Sequence, residues 1–176
     1  MLNLNKYYEE MGAYHDDAYG KDEPFTKYID SILDFFEDKK GQTILDVGAG
    51  EGTITELLYK RGHKVDALDI AHQAKLLFQK KNIPCKYYCI DFLKFRKKYD
   101  WILFANTLHW IENERAAIKK VKGLMKIGAY ITTTNAMRSP LDLRAYTKEE
   151  VEERFPGAEI RLQDGLRWVI VWNKNT

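Results

Sequence analysis

Sulfur and imidazole are scarce in this 176-residue chain, which carries two cysteines and four histidines. Cys85 and Cys89 fall in the run Pro84-Cys85-Lys86-Tyr87-Tyr88-Cys89-Ile90, which reads as a strand. At a period of two they face the same side, too far apart along the strand for a relaxed disulfide. No further cysteine completes a zinc set, and no His, Cys and Asp recur at metal-ligand spacing, so no metal is expected. Both cysteines are expected as small buried thiols. Charge of one sign is also lacking. A net +2 gives no argument for nucleic acid, and Lys94-Phe95-Arg96-Lys97-Lys98 reads as a solvated face. No apolar run approaches the roughly 20 residues of a membrane span, and the stretch Met1–Glu10 is polar and acidic. These absences predict a cytoplasmic protein with no membrane partner.

What is present is an ordinary core. Apolar residues make up 45% of the chain and charged residues 31%, the balance of a folded single domain. Residues 1–40 read as a helical, tyrosine-rich segment, with Phe25, Ile29, Ile32, Leu33 and Phe36 at helical spacing and Lys39-Lys40-Gly41 as its stop. From 41 to 176 one globular unit is expected. Strands are predicted at Thr43–Val47, Lys64–Leu68, Lys86–Ile90, Asp100–Ala105 and Ala129–Thr134. Helices follow the glycine turn at 48–52, span about Ala71–Lys81, and start again near Asn113. Lys126-Ile127-Gly128 reads as the turn into the fifth strand. Alternation of this kind specifies a parallel sheet with helices on both faces. The end of the chain breaks the rhythm. Thr147-Lys148-Glu149-Glu150 is a capping box that opens a helix to about Phe155. Ala158–Leu162 and Arg167–Trp172 then flank Asp164-Gly165, a two-residue hairpin signal. The predicted fold is α/β, Rossmann-like and doubly wound, with a C-terminal antiparallel hairpin.

Chemistry should gather at the C-terminal ends of the parallel strands. The first strand runs into Asp46-Val47-Gly48-Ala49-Gly50-Glu51-Gly52-Thr53, a turn whose glycines let backbone amides approach a ligand at the start of a helix. Its spacing is G-x-G-x-G; the dinucleotide fingerprint would need glycine at Thr53. The second strand ends at Asp69, where a carboxylate can accept both hydroxyls of a ribose or cap the next helix. The third ends at Asp91-Phe92, a carboxylate for an exocyclic amine beside a ring for a base. The fourth ends at Asn106, with His109 close behind.

In these segments the chain resembles a class I S-adenosylmethionine-dependent methyltransferase of the small type 11/12 families. The resemblance rests on Leu45–Gly52, Ala67-Leu68-Asp69-Ile70, Cys89-Ile90-Asp91-Phe92, Tyr99–Trp110 and Leu124–Ala129. It implies S-adenosylmethionine as cofactor and a seven-stranded sheet. It also implies roles by position. Gly48 and Gly50 would line the methionine part, and Asp46 would hold the turn and help with the amino group. Asp69 would bind ribose with Ile70 against adenine, Asp91 and Phe92 would recognise adenine, and Asn106 would face the methionine part. An aromatic N-terminal segment often closes over the cofactor in such proteins. Tyr7, Tyr8, Tyr14, His15 and Tyr19 are available for that lid, or for ordinary packing on the core.

The catalytic candidates are His109 and His15, whose ordinary pKa suits a base. His63 stands at the wrong edge of its strand and His72 in a helix. The chain departs from the family pattern in two places: the turn at Lys126–Ala129, and a short connection, Asn135–Tyr146, where relatives carry a substrate-covering insertion. The short connection leaves room for a larger substrate or a partner protein that completes the pocket. The acceptor is expected to be a small molecule, with protein and RNA left open. Two other readings are a cofactor-binding scaffold subunit and an NAD-dependent oxidoreductase.

Overall fold

The structure, a computed structural model, describes residues 4–11, 14–134 and 145–176. Its strands form one sheet of seven in the order β3-β2-β1-β4-β5-β7-β6. The chain divides into two compact units, Met1–Asp91 and Phe92–Thr176.

The first unit begins with three helices, α1 (Leu4–Met11), α2 (Tyr14–Ala18) and α3 (Glu23–Phe36). α3 starts where Asp22 accepts the Phe25 amide at 2.8 Å, with a proline in its first turn. It buries Tyr28, Ile29, Ile32, Leu33 and Phe36, one face of the period that the sequence displays. Next come β1 (Thr43–Val47), α4 (Thr53–Lys60), β2 (Lys64–Asp69), α5 (His72–Lys80) and β3 (Tyr87–Cys89). β1, β2 and β3 pair in parallel. Ile44, Leu45, Asp46 and Val47 are all buried, the continuous burial expected of a strand covered on both faces.

The second unit holds β4 (Tyr99–Ala105), α6 (Glu114–Leu124), β5 (Met125–Thr134), α7 (Lys148–Arg154), β6 (Glu159–Gln163) and β7 (Arg167–Asn173). β4 and β5 are parallel, whereas β7 lies antiparallel to both β5 and β6. Asp164 and Gly165 both take positive φ, 53° and 66°, as a type I′ hairpin turn requires. The capping box at Thr147 and Glu150 forms in both directions.

Three expectations need correction. β5 starts at Met125, so Lys126-Ile127-Gly128 is strand, not turn. Gly128 is there for packing: a Cβ on it would lie 2.6 Å from the Trp101 ring and 2.9 Å from the Trp172 carbonyl. The β4–β5 register shifts just before this pair, with one more residue on β5 between Met125 and Gly128 than on β4 between Tyr99 and Trp101. β3 is shorter than predicted and excludes Cys85. Cys89 is exposed and Cys85 half-buried, so the pair are not buried thiols. Among the described residues β3 pairs only with β2, and an edge strand covers its side chains less fully than an inner one.

Candidate functional site

In the first unit the glycine turn folds back onto the end of β2. The Gly48 and Ala49 amides donate to the Leu68 carbonyl at 2.7 and 3.1 Å, and Gly52 donates to Ala49 at 2.8 Å. Gly48, Gly50 and Gly52 have φ of 74°, 56° and 86°, a region hostile to a side chain. At Gly52 space is lacking too, since a Cβ would meet the Phe78 ring at 2.3 Å. The amides of 48, 49, 50 and 52 all have partners within the protein, so glycine here serves compactness more than a row of free donors.

Asp69 stands at the centre of this arrangement. Its Oδ2 accepts the Gly50 amide at 3.0 Å and its Oδ1 accepts the Ala71 amide at 2.8 Å. One carboxylate thus ties the turn to the start of α5. Asp69 is only 7% exposed, and burial raises its pKa against the opposing backbone hydrogen bonds. The Ile70 amide also acts on this carboxylate, whose two oxygens form a bidentate acceptor. Ile70 beside it is 57% exposed, an apolar surface at a strand end. Asp46 lies beneath the turn and accepts the Thr55 hydroxyl at 2.7 Å. Burial pushes its carboxyl up to about 7, with the Thr55 hydrogen bond opposing the rise and the Asp69 carboxylate adding to it. Asp91 is half-buried, just beyond β3.

The N-terminal helices supply groups that the sequence alone does not place. Tyr8 of α1 packs on Ala71 and Ala74. Its hydroxyl stands 2.7 Å from where a Gly50 Cβ would be, and Tyr87 donates its own hydroxyl to the Gly50 carbonyl at 3.1 Å. Burial raises the Tyr8 phenol above its ordinary range, with the Asp69 and Glu51 carboxylates adding to the effect. His15 donates its amide to Glu51 Oε1 at 3.0 Å and holds the same oxygen through Nδ1 at 2.8 Å. Asp16 Oδ1 accepts from the Thr53 hydroxyl at 2.7 Å and from Lys81 Nζ at 2.5 Å. Of the lid candidates, Tyr7 is half-buried and in edge contact with Tyr8, and Tyr14 is exposed. Tyr19 donates to Asp30 of α3. Glu51 carries a sequence signal, since a carboxylate inside a tight glycine turn needs a partner. Its partner lies 36 residues away, beyond any local pattern.

In the second unit Asn106 ends β4 with φ of 54°, a left-handed conformation that asparagine tolerates better than most residues. Its amide donates to Thr132 Oγ1 at 2.9 Å, and Thr134 donates to its Oδ1 at 3.3 Å. Phe92 is buried and meets Phe104 edge to face at 5.2 Å. His109 is 9% exposed, next to the exposed Trp110, and neither ring nitrogen has a hydrogen-bond partner among the described residues. Burial lowers its pKa to about 4, so it is neutral at pH 7. His63 of the first unit is likewise buried, at the N-terminal edge of β2. The connection 135–144 lies outside the described residues. Its return point is described: the Tyr146 amide donates to the Thr134 carbonyl at 3.0 Å. Buried Glu114 receives the Tyr146 hydroxyl and Arg154 Nε, each at 2.8 Å, a set with no sequence signature.

Among the described residues no group of His, Cys, Asp and Glu could hold a metal, and no helix is long and apolar enough to cross a membrane. A family model described as a methyltransferase domain matches residues 19–167. A curated relative, protein 235L of Invertebrate iridescent virus 6, provisionally named a methyltransferase, is 26% identical over 118 residues. That match covers 64% of this chain and 44% of the viral protein, so the chain spans less than half of that relative's length. Among solved structures, magnesium protoporphyrin IX methyltransferase from Synechocystis PCC 6803 with bound SAH superposes with a TM-score of 0.76 at 14% identity, covering 97% of each chain. The 1,6-didemethyltoxoflavin-N1-methyltransferase of Burkholderia thailandensis, with substrate and S-adenosylhomocysteine bound, gives 0.68 at 14% identity, covering 97% of this chain and 84% of the other. With the fold from these structures and the family model over most of its length, the chain belongs to the methyltransferase domain family, of the class I Rossmann-like architecture.

Proposed function

We propose that the protein transfers a methyl group from S-adenosylmethionine to a small-molecule acceptor. The observation that carries this reading is Asp69. A carboxylate at the end of β2 grips the glycine turn through Gly50, and its two oxygens present the bidentate acceptor that suits a ribose diol. Asp46, Gly48 and Gly50 shape the turn against the methionine part, and exposed Ile70 meets adenine. Asp91 and Phe92 serve the adenine edge and face, and Asn106 the methionine part. Asn106 suits that work because Thr132 holds its left-handed backbone through the amide and Thr134 fixes its side-chain oxygen.

When bound, S-adenosylmethionine supplies an activated methyl group and a good leaving group. The protein's own work is to hold the acceptor in line and to exclude water. A base is needed only for a protonated nucleophile. His109 is the imidazole assigned to the acceptor side. Being neutral at pH 7 with a pKa lowered to about 4, it is a weak base and acts there as a hydrogen-bond partner. The compounds in the names of the two structural neighbours, magnesium protoporphyrin IX and 1,6-didemethyltoxoflavin, are small molecules, which supports the same class here. The test uses methyl-labelled S-adenosylmethionine with a fractionated cell extract. Label in a low-mass product chromatographically distinct from S-adenosylmethionine is expected; transferred label confined to protein or RNA would reject the small-molecule reading.

A further inference from the structure

Glu51 has no place in the chemistry above, yet it is a carboxylate 2% exposed within the glycine turn. Burial alone would push its pKa up, but the hydrogen bond and charge of His15 bring it below the ordinary value. A buried carboxylate with its partner removed is strongly unfavourable, so the turn and the N-terminal segment need each other. Two further contacts join the same pieces, since Asp16 bonds both Thr53, the first residue of α4, and Lys81 at the end of α5. α2 is thus held against the turn at consecutive residues, His15 and Asp16. Only residues 12 and 13 separate α1 from α2 in sequence, so the end of α1 stays within roughly 11 Å of the start of α2. α1 carries Tyr8, whose hydroxyl faces Gly50.

We propose that Glu51 is a positioning residue whose clasp on His15 keeps α2, and with it Tyr8 of α1, against the glycine turn, and so sets how fast the cofactor leaves. The inference rests on the cofactor reading above, but its first half is independent of any ligand. His15 on this view works through Glu51 and not as a base. The charged and polar groups around the pair are Asp16 and Lys81 at the second attachment, Glu56 beside Lys81, Tyr7 and Tyr8 of α1, and Asp69 of β2.

The experiment compares the full chain with Glu51→Ala, Glu51→Gln, His15→Ala and His15→Asn. In the ligand-free proteins, hydrogen exchange of the His15 and Tyr19 amides should accelerate about tenfold in the alanine variants, with exchange in β1 unchanged. Glutamine in place of Glu51 keeps an acceptor and asparagine in place of His15 keeps a donor, and both should restore most of the protection. S-adenosylhomocysteine, the probe for the second half, should dissociate about tenfold faster from the alanine variants, with the conservative variants in between. Unchanged exchange in both alanine variants would overturn the clasp. Faster exchange with an unchanged dissociation rate would overturn its link to cofactor release. Failure of the unmodified chain to bind S-adenosylhomocysteine would instead reject the cofactor reading, and the exchange comparison would still decide the clasp. His15 is half-exposed, so His15→Ala keeps the test valid should Glu51→Ala not fold.

Discussion

Replacing Asp69 with alanine separates binding from folding at the point where the two share one side chain. In the folded protein its two oxygens satisfy the Gly50 and Ala71 amides. Alanine leaves both donors without that acceptor, and a buried unpaired group costs about 1–3 kcal/mol. Partial access of water to the turn brings the expected loss to about 2–4 kcal/mol, enough to lower the urea midpoint without abolishing the fold. The effect on ligand is larger relative to its total. Two ribose hydroxyls bonded to a carboxylate contribute about 1.5–3 kcal/mol each. Losing both weakens S-adenosylhomocysteine by roughly 100-fold or more, at about 1.4 kcal/mol per factor of ten. Asp69→Asn would keep one acceptor oxygen and lose the charge, so its affinity and stability should both fall between those of the unmodified protein and Asp69→Ala. The assay is calorimetric titration of S-adenosylhomocysteine at a temperature where urea unfolding shows each variant to be folded. A folded Asp69→Ala protein with unchanged affinity would refute the ribose role, and unchanged stability would refute the structural one.

Gly52→Ala meets both a φ of 86° and the Phe78 ring at 2.3 Å. It should destabilise the protein by about 2–5 kcal/mol in urea unfolding. Adding Phe78→Leu should recover the steric part, and a strictly additive double variant would contradict the clash. His109 has a folded pKa of about 4, below its ordinary 6.5. Its contribution is therefore fully present above pH 6.5 and is lost as the pH falls through 4, by about 3 kcal/mol at most. His109→Leu should flatten that acid limb of the stability curve; an unchanged limb would show that His109 is not buried as a neutral group. Glu114→Ala leaves Tyr146 and Arg154 without their shared acceptor. It should lower stability by about 3 kcal/mol. In that variant S-adenosylhomocysteine affinity should stay within about threefold of the unmodified protein, and a larger loss would place the set in the binding machinery.

The frame of the fold is open to reading because its signals are local. The glycine turn, the capping box at Thr147 and the Asp164-Gly165 hairpin each declare themselves within a few residues. Asp69 can be picked out at a strand end because the doubly wound topology sends strand ends to one edge. Other features depend on who meets whom. Gly128 reads as a turn glycine, and only the Trp101 ring and the Trp172 carbonyl reveal why it lacks a side chain. The Glu51–His15 and Glu114–Arg154 pairs join residues 36 and 40 positions apart, and no periodicity encodes them. The strand pattern predicts a buried Cys89, but its strand lies at the sheet edge and the thiol is exposed. An ordinary pKa recommends His109 as a base, and burial has moved that value to about 4.

The most direct measurement is a parallel calorimetric titration of the purified protein with S-adenosylmethionine, S-adenosylhomocysteine and NAD. A carboxylate at Asp69 and a G-x-G-x-G turn predict micromolar binding of both sulfur compounds and none of NAD. Binding of NAD alone, or of none of the three by a folded protein, would contradict the assignment of the glycine turn and Asp69 to S-adenosylmethionine.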